Sequence, residues 1–263
     1  MVKNRRRSGT LAVRESHTFT EDGLLDGRVR LRQPMDGYRA GVDAALLAAA
    51  CDAKAGERVI DVGCGPGAAM LAAAVRRPDC HFTGVERDPA ARDFAAQNIA
   101  LNNLTGRVEV REGDVALPFS KFSRKTFDAA IANPPYFDDE KALRGPSPAR
   151  RGAWIADGGL TVWTAFLVKA VRERGTITII HRADRLGDLL ALLDDKCGSF
   201  RVRPIHPFAD APAKRVLIRA LKTGKAPLVL LPPLVLHERG GAGHTKETEA
   251  ILRGEADLGW GEP

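Results

Sequence analysis

Two short stretches combine residue types that few structural roles require together. Asn133-Pro134-Pro135-Tyr136-Phe137 offers a side-chain amide oxygen, a main-chain carbonyl at Pro134 and flat aromatic rings. Consecutive prolines hold the backbone extended and contribute no N–H donors of their own. Asn133 and Pro134 are therefore two acceptors suited to the two hydrogens of a planar exocyclic amine. Tyr136 offers a face for base stacking, worth roughly 1–3 kcal/mol. A proline-rich turn beside a core aromatic is the plainer reading of the same residues. The second stretch is Asp61-Val62-Gly63-Cys64-Gly65-Pro66-Gly67. Its glycines allow a tight turn and a close approach to a ligand. The spacing is G-x-G-x-G and not the G-x-G-x-x-G that seats a pyrophosphate at a helix start. Asp61 would repel a phosphate, and it suits a ligand that carries cationic groups.

Two further carboxylates fall at intervals that strand ends would have. Glu86 lies nineteen residues after Gly67 and is placed to accept from both hydroxyls of a ribose. Asp114, in Glu112-Gly113-Asp114-Val115, is placed to accept from an adenine amino group. Alone, the first reads as a solvated strand terminus and the second as a turn-forming Asp beside Gly. Their force comes from occupying consecutive strand ends of one sheet, where α/β proteins bind ligands.

The elements that must position these residues alternate in type. Apolar strand-like runs at 59–62, 80–86, 108–111, 127–132 and 176–181 are separated by helical stretches at 68–75, 90–101 and 160–172, and a further helix covers 186–193. Such alternation predicts a Rossmann-like, doubly wound α/β fold. Its mostly parallel, seven-stranded sheet ends in an antiparallel edge strand, from a pair at 200–204 and 215–221 joined by a loop. Ahead of the first strand, Asp43 stands as the N-cap of an alanine- and leucine-rich helix. Residues 226–236 add an extended segment, and 245–253 a short helix. The predicted organisation is a basic flexible arm over 1–25, with a short strand near 28–32, one catalytic domain over 26–225, and a C-terminal extension over 226–263.

Composition narrows the class. The chain has 263 residues, 40 basic against 33 acidic, a net charge of +7, and 44% hydrophobic residues. These values fit a globular domain and exclude a disordered chain. No apolar run is long enough to span a bilayer. The basic start (Lys3, Arg5, Arg6, Arg7) lacks the apolar region of a secretory signal. Four cysteines (Cys51, Cys64, Cys80, Cys197) show no metal-ligand spacing, which predicts reduced thiols, no metal and a cytoplasmic location. Positive charge concentrates in the arm and in residues 201–225, where seven bases accompany Asp210 alone. Two such clusters predict a polyanionic partner such as RNA.

The glycine loop, Glu86, Asp114 and the Asn133–Tyr136 motif resemble the class I S-adenosylmethionine-dependent methyltransferases that modify exocyclic or amide nitrogens. The stretch Gly37-Tyr38-Arg39-Ala40-Gly41-Val42-Asp43-Ala44 further resembles the bacterial tRNA(Val) adenine-N6-methyltransferases, as do Arg144-Gly145-Pro146-Ser147-Pro148 and Trp163. The resemblance covers roughly residues 20–250, and departs from the enterobacterial type in the arginine-rich first residues and in the C-terminal segment. It implies S-adenosyl-L-methionine as cofactor, held by Asp61, Gly63, Gly65, Gly67, Glu86, Asp114 and Asn133. It implies Asn133, Pro134 and Tyr136 as the catalytic set, and tRNA as partner. Tyr38, Arg39, Tyr136, Phe137, Arg150 and Arg151 are the residues expected to meet the substrate, with 138–153 as a lid. The same Asn-Pro-Pro-Tyr motif occurs in N5-glutamine methyltransferases acting on release factors, but only 60 residues precede Asp61 here, where those enzymes usually carry a helical domain. A non-catalytic RNA-binding module on the same fold is the alternative outside enzymes, and the complete motif set weighs against it.

Overall fold

A computed structural model of the chain describes residues 19–35, 41–136, 159–241 and 243–261. Tyr38, Arg39, Phe137, Arg150 and Arg151, the region 138–153 and the basic residues 3–14 lie outside the described residues.

Side-chain alternation along the central strand β3 (Arg58–Val62) sets what lies on each side of the sheet. Val59 points into a core shared with α1 (Val42–Ala49) and α2 (Ala68–Arg76), while Ile60 and Val62 point into the opposite core. The second core is closed by α5 (Gly159–Ala170) and α6 (Leu186–Asp194), which follow a short α4 (Phe119–Phe122). Between these helices run β4 (His81–Glu86), β5 (Val108–Glu112), β6 (Phe127–Ala132) and β7 (Val171–Arg182), all parallel to β3. β8 (Cys197–His206) and β9 (Arg215–Lys222) complete seven long strands in the order β8-β9-β7-β6-β3-β4-β5. The two-residue strands β10 (Val229–Leu230) and β11 (Leu234–Val235) pair with the free side of β8, which brings the sheet to nine among the described residues.

The doubly wound, mostly parallel fold matches the sequence reading, with one difference of position. β9 is antiparallel to both of its neighbours, β7 and β8, and so lies inside the sheet, while β8 at its outer side runs with the majority. Val216, Leu217, Ile218 and Ala220 explain this: they are buried towards both faces, a pattern that suits an interior strand.

Residues expected in a flexible arm instead contribute β1 (Phe19–Leu24), which forms a hairpin with β2 (Val29–Pro34). That hairpin is held by α3 (Pro89–Leu101) and the residue just after it. Asn98 and Asn102, one helical turn apart, each exchange amide hydrogen bonds with the β2 backbone at Arg32 and Arg30 (2.7–2.8 Å). A helical turn and two strand residues advance by similar lengths, about 6 and 6.6 Å, so the two amides act as a short extra strand.

The C-terminal segment ends in α7 (Lys246–Arg253), capped by Thr245 Oγ1, which accepts from Thr248 N at 3.2 Å. Beyond it, the indole of Trp260 is buried and donates to Ala50 O at 2.8 Å, and Leu258 N donates to Ala49 O at 3.0 Å. Arginines fasten this tail to the sheet through its carbonyls. Arg201 donates to Trp260 O at 2.7 Å, and Arg203 to Gly259 O at 2.6 Å and Pro232 O at 2.9 Å. Trp260→Ala is expected to lower folding free energy by about 3–5 kcal/mol, from lost burial plus the cavity left behind. A urea midpoint unchanged from the wild type would show that the tail contributes nothing to the fold.

Candidate active site

Chain connectivity defines the site. From β3 the chain winds outward through β4 and β5, then crosses back to β6 on the other side of β3. The crevice outside the carboxyl ends of β3 and β6 is a topological switch point, the general ligand site of open α/β sheets. The glycine loop leaves one of these strands and Asn133 the other.

The loop is held from behind by main-chain bonds. Gly63 N and Cys64 N donate to Val85 O at 2.8 and 3.0 Å, and Gly67 N to Cys64 O at 2.9 Å. A Cβ on Gly63 would fall 2.2 Å from Cη2 of Trp163, so packing of α5 onto the loop demands this glycine. Gly65 differs. Its φ of +55° disfavours a side chain, yet a Cβ there would meet nothing within 4 Å, so its surface faces open space. Asn98 Nδ2 also donates to Pro66 O at 2.9 Å, tying the loop to the hairpin. Asn98 is fully buried, and a lone Asn in a helix gives no sequence signal of that role.

Glu86 ends β4 and fixes two loops at once. Its Oε2 accepts from Gly65 N at 2.9 Å and its Oε1 from Asp88 N at 2.8 Å. A carboxylate has about four acceptor positions, so capacity remains for hydroxyl donors. Asp61 is 2% exposed, and its Oδ2 has no hydrogen-bond partner. Burial first, and the nearby Glu86 charge second, push its carboxyl up to about 7, with the Met70 backbone bond opposing. Asp114 lies beside a cavity of about 620 Å³ bounded also by Arg87, Asp88, Glu112 and Leu117. Its Oδ1 accepts from Ala116 N at 2.9 Å and its Oδ2 is 3.9 Å from the Arg87 guanidinium.

Across the crevice, Pro134 is buried and Asn133 and Tyr136 are half-buried. Tyr136 is held at several points. Its hydroxyl donates to Asp43 Oδ2 at 2.7 Å, and Arg215 donates to the same oxygen at 3.0 Å. The Arg215 guanidinium lies 4.8 Å from the Tyr136 ring centre, and the His181 ring stands edge-on to it at 5.1 Å. Burial pushes the His181 imidazole down to about 4, so it is neutral near pH 7.

This arrangement corrects two sequence expectations. Asp43 is not the N-cap of α1: Gly41 takes that position without a side-chain bond, and the Asp43 carboxylate serves Tyr136 and Arg215 instead. The second basic cluster is also largely committed within the molecule. Arg215 pairs with Asp43, Arg219 with Asp52 at 2.5 Å, and Lys222 with Glu173 at 3.3 Å, while Arg201 and Arg203 bind the C-terminal tail. Asp43 on α1, Arg215 on β9 and His181 on β7 each sit in largely apolar elements, which is why sequence reading missed their roles. All four cysteines are buried and unpaired. Among the described residues no group of three or more His, Cys, Asp or Glu is arranged to hold a metal ion, and no helix is long and apolar enough to cross a membrane.

Two expectations follow from the carboxylates. Because the folded pKa of Asp61 exceeds the unfolded value, the folded state binds the extra proton between about pH 4 and 7, and stability falls as pH rises through that window. Asp61→Asn removes this dependence, so the ligand-free variant should gain about 2–3 kcal/mol over the wild type between pH 5 and pH 8. Parallel stability curves across that range would refute the raised pKa. Asp43→Ala leaves the Arg215 charge and the Tyr136 hydroxyl without their shared acceptor, and should cost about 1–3 kcal/mol, against about 0.5–1.5 for Tyr136→Phe. Equal losses in the two variants would mean that Arg215 draws nothing from Asp43.

Comparison with known proteins agrees with this geometry. Residues 39–144 match the methyltransferase small domain family. A tRNA1(Val) (adenine(37)-N6)-methyltransferase from Haemophilus influenzae is 30% identical over 151 residues, which cover 57% of this chain and 64% of that protein. The enzyme of the same name from Actinobacillus succinogenes is 30% identical over 166 residues, 62% of this chain and 69% of its own length. The match thus spans about two thirds of the length of these two relatives. Among solved structures, one described as a predicted O-methyltransferase from Agrobacterium tumefaciens superposes with a TM-score of 0.69 at 26% identity, covering 82% of this chain and 98% of that one. With a glycine loop and an Asn-Pro-Pro-Tyr motif facing one another across the switch point of this sheet, the chain belongs to the S-adenosylmethionine-dependent methyltransferases, in the family of the tRNA(Val) adenine-N6 enzymes.

Proposed function

We propose that the chain methylates N6 of an adenine in tRNA, in the anticodon-loop region of a tRNA(Val), in the cytoplasm. The observation that carries this reading is Asn133-Pro134-Pro135-Tyr136 at the end of β6, beside the glycine loop that ends β3. The names borne by the Haemophilus and Actinobacillus relatives support adenine and tRNA as the target. An amine has two hydrogens for the acceptors Asn133 and Pro134, whereas a hydroxyl has one, which favours nitrogen over oxygen as the methylated atom.

The residues fit S-adenosylmethionine. Asp61 Oδ2 is buried without a donor, which suits a cationic ligand; Glu86 keeps acceptor capacity for a ribose diol; and Gly65 leaves the loop surface open. Asp114, at its cavity beside Arg87, is the acceptor assigned to the adenine end. When bound, the cofactor supplies an electrophilic methyl group on a sulfonium.

The protein's part is placement and electrostatics. The target nitrogen is a weak nucleophile while its lone pair is conjugated with the purine ring. Acceptance of its two N–H groups by Asn133 Oδ1 and Pro134 O turns that lone pair out of the ring and stabilises positive charge developing on nitrogen. Tyr136 stacks on the base, and because Asp43 and Arg215 already hold its ring, little ordering remains when the base arrives. After transfer the ammonium is acidic and loses a proton to water, so no dedicated base is needed. A stacked base cannot reach such a crevice, so the target lies in a loop or flips out.

Asn133→Ala should lower the single-turnover rate about a hundredfold, with cofactor affinity by calorimetry held within a factor of two. The assay is a tRNA(Val) transcript with labelled cofactor, analysed as nucleosides by mass spectrometry. A wild-type rate in that variant would remove the amine clamp, and label on protein glutamine in place of adenine would remove the substrate.

A further inference from the structure

With most of the 201–225 bases consumed by internal pairs, a different surface gathers cations that, Arg58 beside Asp128 apart, have no acidic partner among the described residues. Arg58, Arg111, Lys121, Arg124 and Lys125 line one cavity of about 610 Å³, between the start of β3, the end of β5 and the turn from α4 to β6. Among the described residues no carboxylate lines it. Among those residues Arg111, Lys121, Arg124 and Lys125 form no ion pair. Asp128, whose carboxylate accepts from the main-chain N–H of Arg58, is engaged by Arg172 Nε at 2.6 Å.

Two of these cations are arranged in advance. The Arg58 guanidinium lies 4.6 Å from the Phe127 ring centre and donates to Thr126 O at 3.1 Å. The Arg111 guanidinium lies 4.8 Å from the Phe122 ring centre. Stacking fixes the plane of each group and leaves edge N–H donors, the geometry that suits phosphate oxygens. The turn between them is fixed as well, since Ser123 Oγ donates to Lys125 O at 2.8 Å and accepts from Lys125 N at 3.1 Å. Like charges gathered this way repel one another in the free protein, and a polyanion relieves that repulsion along its length.

We infer that this cavity is the docking surface for the phosphate backbone of the RNA stem whose target base enters beside Asn133. A single phosphate would meet only part of five cations spread over two strands, a short helix and a turn, whereas a duplex backbone offers phosphates in series. The patch also lies within reach of the crevice. It shares Lys121 and Phe122 with the cavity beside Asp114, and β6, which starts two residues after Lys125, runs about 20 Å to Asn133. This assignment rests on the adenine-N6 reading and extends it from the target base to the stem that carries that base.

The test measures binding of a tRNA(Val) transcript at several salt concentrations, by fluorescence anisotropy, to the full chain and to two variants. These are Arg124→Gln/Lys125→Gln and Arg111→Gln. Each lost phosphate contact should make the slope of log affinity against log salt shallower by about 1. The double variant should therefore change it by about 2 and bind several-fold more weakly at low salt, with cofactor affinity unchanged. Poly-glutamate at the same ionic strength is the control for an acidic protein partner. Wild-type slope and affinity in both variants would overturn the docking surface even if N6-methyladenosine still formed. So would variants weakened towards poly-glutamate but not towards RNA. Failure of the adenine-N6 reading is read separately, as absence of N6-methyladenosine after incubation with the unmodified protein.

Discussion

The Asp43 carboxylate joins three parts of the chain that have no local reason to meet. It accepts from the Tyr136 hydroxyl, 93 residues onward, and from Arg215, 172 residues onward. Helix α1, the segment after β6 and strand β9 are thereby locked to one another at the mouth of the crevice. The arrangement depends on β9 lying between β7 and β8: at the sheet edge, its first residue would not stand beside the segment that follows β6. An ion pair only partly shielded from water contributes modestly to stability. Its value here lies in orientation, because the ring it holds faces the site where a planar substrate is expected.

The cofactor side of the crevice obeys a comparable logic with different chemistry. Glu86 is bonded to main-chain amides of two loops, so its carboxylate is a structural tie as well as a candidate ligand. Asp61 is buried close to it with one oxygen unsatisfied; burial above all raises its pKa, and the neighbouring Glu86 adds a local excess of negative charge. Such an excess destabilises the empty fold and rewards a cationic ligand, a common trade between stability and function at binding sites. Asn98 and Trp163 brace the glycine loop from opposite sides, one by hydrogen bonding and one by contact.

Charge has two distinct uses in this basic chain. Arginines at 201 and 203 cap carbonyls of the C-terminal tail, and Arg76 and Arg77 both pair with Asp257 near its end. These cations act as structural fasteners, a use favoured by the several directed donors of a guanidinium. Arg58 and Arg111 beside the α4–β6 turn also donate to carbonyls, but among the described residues no carboxylate lines the cavity that these cations share. Counting bases along the sequence cannot separate the two uses, since it registers charge and not the acceptor opposite.

The alternation of strands and helices, the two motifs and their strand-end carboxylates were legible from residue order, because they depend on periodicities and spacings within a few residues. β3 to β9 and their helices accordingly fall close to the expected positions. A strand near 28–32 was legible, but its partner at 19–24 and their pairing escaped notice because these strands mix polar and apolar residues and their register is completed by asparagines at the end of α3. The true roles of Asp43, Arg215 and Arg219 escaped for a related reason. A side chain's meaning as cap, fastener or RNA contact depends on which group stands opposite it. For these residues that group comes from a distant segment, brought near only when the sheet closes. Local sequence determined what each element is and where the candidate chemistry sits; tertiary packing decided which charges are spent inside the fold and which remain for a partner.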